Sequence, residues 1–197
     1  MEKTTKMKSF LLFYLMLMLL PVCPLYGQQS TKEPEAILSH LKTAIDGALE
    51  NIDKHLIKAS KKIRQTGLTG EKTQQALTDL CRSVPGAIDC STVDQKGIMV
   101  TVMPQAYKKH EGADISGQEH MSRLWKTKKR VFSNIFRSVE GIDAIDLENP
   151  LFSKGKKLAG SVSILLKPEA LLASIIVPAL KGLPNDCLLY TSPSPRD

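Results

Sequence analysis

Eight apolar residues, Ile37, Leu41, Ile45, Ala48, Ile52, Leu56, Ala59 and Ile63, follow one another at steps of 4, 4, 3, 4, 4, 3 and 4. Only an α-helix gathers such a series on one face, and this one is sustained for about eight turns. Pro34 suits the first turn, where its missing N–H would be unpaired in any case, and Gly67 suits the end. A helix over residues 34–65 would run for roughly 45 Å, longer than a small domain needs. The spacing therefore predicts a long helix, within a segment 30–67, that serves as a stalk or as a homodimer seam.

Downstream the period changes. Thr69 is placed to cap a second, short helix whose inner face carries Ala76, Leu77 and Leu80. Residues 88–93 and 98–103 then alternate as strands around the turn Asp94-Gln-Lys-Gly97. Residues 104–110 form a short helical or irregular piece. Ser116-Gly-Gln-Glu119 has the pattern of a capping box, predicting a helix from there to about residue 128. Three more strands follow, at 131–137, 142–152 and 158–166, and Pro168 opens a last helix. Strands joined by such short turns must be antiparallel. The fold class is α+β: a long N-terminal helix plus a five-stranded antiparallel sheet with a helical insertion after its second strand.

The two ends have a different character. Lys3, Lys6 and Lys8 precede an apolar run at 10–20 that stops at Pro21, the layout of a secretory signal peptide over 1–27. Three alternatives remain: cleavage after Gly27, retention as a signal anchor that attaches the chain to a membrane, and lipidation at Cys23. All three place residues 30 onward outside the cytoplasm, periplasmic or secreted. The last eleven residues, Cys187-Leu-Leu-Tyr-Thr-Ser-Pro-Ser-Pro-Arg-Asp197, resemble, residue for residue, the translation of a transposase-type sequencing adaptor. On that reading 187–197 is a non-native tail, and the module over 68–182 belongs to a fragment.

Export gives the cysteines a meaning. With Cys23 and Cys187 set aside, Cys81 and Cys90 remain, flanking a turn-rich link in an oxidising compartment, and a disulfide between them competes with two free buried thiols. The net charge of +7 is concentrated most densely in Lys126-Thr-Lys-Lys-Arg130, with only Trp125 as a nearby aromatic. No nucleic-acid module surrounds it, so a solvated helix end is expected and nucleic acid is not a partner. Catalysis is excluded. Ser116, Asp114 and His120 lie close in sequence, but nothing supplies a nucleophile elbow or an oxyanion hole. His40, His55, His110 and His120 lack metal-ligand spacing, and neither a metal nor a cofactor is expected. Asp146 and Glu148 share one face of a strand, where a cation or amine contact is conceivable beside solvated edge positions.

The strand order and the place of the insertion give a PAS-like layout. Preceded by an exported long helix, the chain resembles the Cache family of extracytoplasmic sensor domains over about residues 34 to 180. The residues that carry the resemblance are Val93-Asp-Gln-Lys-Gly97, Tyr107, Glu111-Gly-Ala-Asp-Ile-Ser116, Val131-Phe-Ser133, Asn149-Pro-Leu-Phe152 and Gly160-Ser-Val-Ser163. It implies a small-molecule pocket between the sheet and the insertion, mapping onto Tyr107, Asp114, Ser116, His120, Trp125, Ser133, Phe136 and Asp146. There Tyr107 and Trp125 would wall a ligand, and Asp114 or Asp146 would meet an ammonium group. Arg123 or Arg137 would take a carboxylate. Two functions are then open. One is a signal-transduction or chemotaxis sensor, or a solute binder, for an amino acid, amine or small carboxylate. The other is a structural module that dimerises through the long helix without a ligand. A ligand-sized polar cavity favours the first, and a packed space between sheet and insertion favours the second.

Overall fold

The computed structural model describes residues 32–181. Residues 1–27, expected to be a signal peptide, and 187–197, expected to be a non-native tail, lie outside the described residues. Contacts divide the chain after Ala36, and the packing of sheet and helices belongs to the unit that starts at Ile37. The long helix is present as α1 (Lys32–Thr66), followed by α2 (Glu71–Ser83). The sheet contains β1 (Ala87–Asp94), β2 (Met99–Met103), β3 (Val131–Phe132), β4 (Phe136–Arg137), β5 (Asp143–Phe152) and β6 (Leu158–Leu166). Between β2 and β3 run a 3-10 segment (Gln105–His110) and α3 (Glu119–Thr127), and α4 (Pro168–Leu180) comes after β6. The fold class is α+β, as the periodicity predicts.

The strands lie side by side in the order β2-β1-β6-β5-β3, every pair antiparallel, with β4 on β5. The single strand expected over 131–137 is thus two short pieces. Ser133 separates them: its N–H donates to the Asp146 carbonyl, and its hydroxyl accepts from the Asp146 N–H. A side chain replaces a ladder carbonyl there, so the pairing stops and resumes at Phe136.

Alternation along the strands sorts the sheet into two unlike faces. Cys90, Ile164 and Leu147 stand across from one another and point to the helices. They pack on Ile52, Leu56, Ala59 and Ile63 of α1 and on Ala76, Leu77 and Leu80 of α2. The loop between these helices is tied to the sheet, because the hydroxyls of Thr92 and Thr101 both donate to the Leu68 carbonyl at 2.8 Å. A second cluster, Val93, Met99, Val102, Ile115, Met121, Leu124 and Val131, fastens the insertion to the β1–β2 end.

Two expected helix starts move. The cap of α2 is Gly70, at φ +98°, not Thr69. Its positive φ is cheap for glycine and strained for a residue with a Cβ. The capping box at Ser116 does not form, and α3 starts at Glu119 with Gln118 as its cap. The reason is local competition: Oδ1 of Asp114 accepts the Ser116 N–H at 2.8 Å, closing an Asx turn before a helix can begin. Cys81 and Cys90 are both free thiols in this structure, so the disulfide alternative is not formed here. The two side chains are neighbours, and burial, then the adjoining Cys81, push the Cys90 thiol well up.

Candidate functional site

The face of the sheet turned away from the helices is polar and yet buried. β1 contributes Asp89 and Ser91, β5 contributes Asp146 and Glu148, and β6 contributes Ser161 and Ser163, none more than 4% exposed. Register joins them into rows: Ser163 stands between Ser91 and Glu148, and Leu165 between Asp89 and Asp146. The serines reach the acids diagonally. Ser163 Oγ donates to both carboxylate oxygens of Asp146, at 2.7 and 2.8 Å, and Ser161 Oγ donates to Oε1 of Glu148. From the insertion, α3 lowers His120 onto Asp146 and Glu148.

Burial without a full set of partners governs the protonation of this face. Asp89 is pushed up to about 8, by burial first and then by the neighbouring Glu140. Glu148 is pushed up to about 7 by burial, which outweighs the Ser161 hydrogen bond. Asp146 is raised well above the usual carboxylate range, by burial first and then by Glu148. His120 is lowered to about 4, by burial and then by Arg123. Around neutral pH the face therefore stores protons on acids and holds a neutral imidazole.

Oγ of Ser91 and Oγ of Ser138 have no hydrogen-bond partner, nor have Oδ2 of Asp89 and Oε1 of Glu140 except for the proton that these two neighbouring acids share when Asp89 is neutral. All four residues line a hollow of about 20 Å³, with Asp146, Ser163 and Phe136 completing much of its wall. That is room for one water or one ammonium head, given the roughly 10–15 Å³ a single water requires. A pocket of about 280 Å³ opens beside it, lined by Gln118, Glu119, His120 and residues 133–137. Gln118 and Phe136 belong to both linings and form the partition. A larger groove of about 400 Å³, between α1, Pro85 and α4, is lined mainly by apolar side chains and has no comparable set of converging polar groups.

Of the eight residues expected at a site, the structure brings together His120, Ser133, Phe136 and Asp146. The other four stand elsewhere. Tyr107 and Trp125 pack against the second apolar cluster, Tyr107 stacking on His110. Asp114 is exposed, and the Ser116 hydroxyl and N–H hold its carboxyl below the usual range, so Asp114 and Ser116 form a turn. Arg123 is spent on the Phe132 carbonyl and on Glu119, and Arg137, which borders the outer pocket, is paired with Asp143 at 3.3 Å. Sequence reasoning misses Asp89, Ser91, Ser138, Glu140, Ser161 and Ser163. For Asp89, Ser91, Ser161 and Ser163 the signal is the i, i+2 spacing of polar residues in strands that must be central, but three strands have to be registered before it can be read, and Ser138 and Glu140 come from the turn after β4.

The model of the HK/GC/chemotaxis protein-like sensor domain matches residues 47–168. Among solved structures, the chain is similar to an extracellular ligand binding receptor from Desulfohalobium retbaense, with TM-score 0.70 and 32% identity, over 77% of this chain and 28% of that one. It is also similar to the sensory domain of the Campylobacter jejuni chemoreceptor Tlp3 with isoleucine bound, with TM-score 0.61 and 14% identity, over 74% and 62% of the two chains. A third likeness is to the extracellular domain of the putative histidine kinase rpHK1S-Z16, with TM-score 0.58 and 14% identity, over 68% and 56%. The chain thus spans less than two thirds of each of these proteins. No curated protein matches it.

Proposed function

This chain belongs to the HK/GC/chemotaxis protein-like sensor domain family, and from that premise we infer that it is an extracytoplasmic, non-catalytic sensor of a small amine-bearing molecule, an amino acid foremost. The observation that carries the ligand class is the hollow bounded by Asp89, Glu140 and Asp146, where three carboxyls converge beside the unpaired hydroxyls of Ser91 and Ser138. An ammonium group matches it in size and charge, and has three donors to offer its oxygens. It would displace stored protons and satisfy the unpaired oxygens together. The body of the ligand would lie in the 280 Å³ pocket, near the lower end of the ordinary range for ligand sites, reached once the Phe136 ring that divides it from the hollow turns aside. Arg137 at its edge can take the carboxylate of an amino acid in exchange for, or beside, its exposed partner Asp143. The binding of isoleucine by the Tlp3 sensory domain, which shares this fold, agrees with the assignment.

Signalling follows from coupling. β5 and β6 carry the site on one face and the apolar residues gripping α1 on the other. Occupancy that favours one seating of the sheet therefore biases the long helix, provided the ligand prefers one state. Leu38 and Leu49 are exposed on the first half of α1 and support pairing with a second copy. Melting of the chelator-treated chain against a panel of amino acids and amines tests the reading. Stabilisation should grow with ligand concentration, vanish in Asp89→Asn and persist in Asp114→Ala. A panel without any shift, or an undiminished response in Asp89→Asn, overturns it.

A further inference from the structure

Next to the hollow, two groups remain unexplained by an amine. His120 Nε2 and Glu148 Oε2 have no hydrogen-bond partner, although His120 is 2% exposed and Glu148 fully buried. Nε2 stands 3.5 Å from Oδ2 of Asp146 and 3.8 Å from Oε2 of Glu148. Those gaps are too long for good hydrogen bonds. The donor atoms of the three residues all lie within 4.8 Å of one another.

We propose that His120, Asp146 and Glu148 hold a divalent transition-metal ion of the zinc class. In a tetrahedral site two ligand atoms are separated by about 1.6 times the bond length, so bonds of about 2.0–2.2 Å give edges of about 3.3–3.6 Å. The two edges from His120 fall at and just above that range, and the two carboxylates, whose ligand atoms lie within 4.8 Å of each other, would draw together on an ion to complete three corners. Calcium takes about six to eight oxygens, which three side chains do not supply, and magnesium is bound mainly through oxygens and retained waters. An imidazole beside carboxylates suits zinc, copper, iron or nickel better.

The outer hydrogen bonds that such sites use are already in place. Ser163 holds the carboxylate of Asp146, and Ser161 holds Oε1 of Glu148, which leaves Oε2 free to bind. Two carboxylates offset the charge of a dication, so the buried ion is compensated. One position remains for water or for a donor group from a molecule in the pocket that His120 also lines. The metal site goes beyond the amine reading, sharing Asp146 with its hollow and His120 with its outer pocket.

The test uses the full chain stripped with EDTA and titrated with zinc chloride, no amine being present. One equivalent should bind by calorimetry, with a melting temperature that rises with zinc. Cobalt(II) should give the intense visible bands of a tetrahedral site. Glu148→Gln and His120→Gln should each weaken zinc binding more than about 100-fold, and Ser161→Ala by about 10- to 100-fold. Asp114→Ala should bind as wild type does. The proposal is overturned if the wild-type chain takes up no zinc, if cobalt gives only the weak spectrum of an aqueous ion, or if Glu148→Gln binds as tightly as wild type. Because zinc is measured without amines and amines are measured in chelator, either reading can fail while the other stands.

Discussion

The ring of Phe136 lies on the imidazole of His120, with centroids 4.9 Å apart and planes tilted by 47°. Phe136 lines both the small hollow and the outer pocket, so this contact separates the buried polar face from solvent. Removing the ring should merge the two spaces. Phe136→Ala should leave the chain folded at a cost of roughly 1–2 kcal/mol, less than the ~3–5 kcal/mol of a fully buried aromatic. Diethylpyrocarbonate labelling, read by mass spectrometry, checks the opening. His120 should be protected in the wild type and labelled in the variant. Equal labelling in both would mean that another route reaches the imidazole.

The stored protons set a direction for stability against pH. Asp89 and Glu148 have folded pKa values of about 8 and about 7, and Asp146 is also raised. An unfolded carboxyl titrates near about 4. A raised folded pKa gives stability that is complete below the unfolded value and is lost as pH rises through the folded one. His120, lowered to about 4, opposes this between about 4 and its ordinary 6.5 and adds nothing above. In chelator, the melting temperature should therefore fall between pH 6.5 and 8.5. Asp89→Asn cannot ionise in either state, so its fall should be shallower. A slope as steep as that of the wild type would remove Asp89 as a cause.

The long helix is legible because eight apolar steps fit one period only, and the sheet because alternation and short turns leave few arrangements. Half of the site is legible too. His120, Ser133, Phe136 and Asp146 lie where the insertion meets the sheet, whatever the details of either. Asp114 and Ser116 mislead because the same two residues can cap a helix or close an Asx turn, and the 2.8 Å bond between them decides for the turn. The carboxyl of Asp89 is hidden for a different reason. It stands opposite Leu165, which also stands opposite Asp146, and no spacing within one strand reveals a cross-strand row.

Cys81 and Cys90 present a choice that oxidation can make. They are adjacent free thiols, Cys81 half-buried and Cys90 fully buried. Under mild oxidation we expect them to bridge, closing a loop of about ten residues and adding roughly 2–3 kcal/mol on the chain-entropy account. Alkylation of the oxidised, denatured chain should leave both unlabelled, whereas the reduced chain should label at both. Full labelling after oxidation would show that the pair stays open.

The two halves of α1 should respond differently to the same substitution. Leu56 is fully buried among residues of α2 and the strands, whereas Leu38, on the same face about five turns earlier, is 66% exposed. Leu56→Ala removes apolar contacts and leaves a cavity that the packed sheet cannot readily close, at a cost of about 2–5 kcal/mol. Leu38→Ala removes little within one copy of the chain and should change monomer stability by no more than about 0.5 kcal/mol. Urea unfolding at low protein concentration measures both. If α1 pairs with a second copy, Leu38→Ala should weaken association in sedimentation equilibrium while leaving low-concentration unfolding unchanged. Unchanged association would confine the role of the helix to the contacts made by Ile52, Leu56, Ala59 and Ile63.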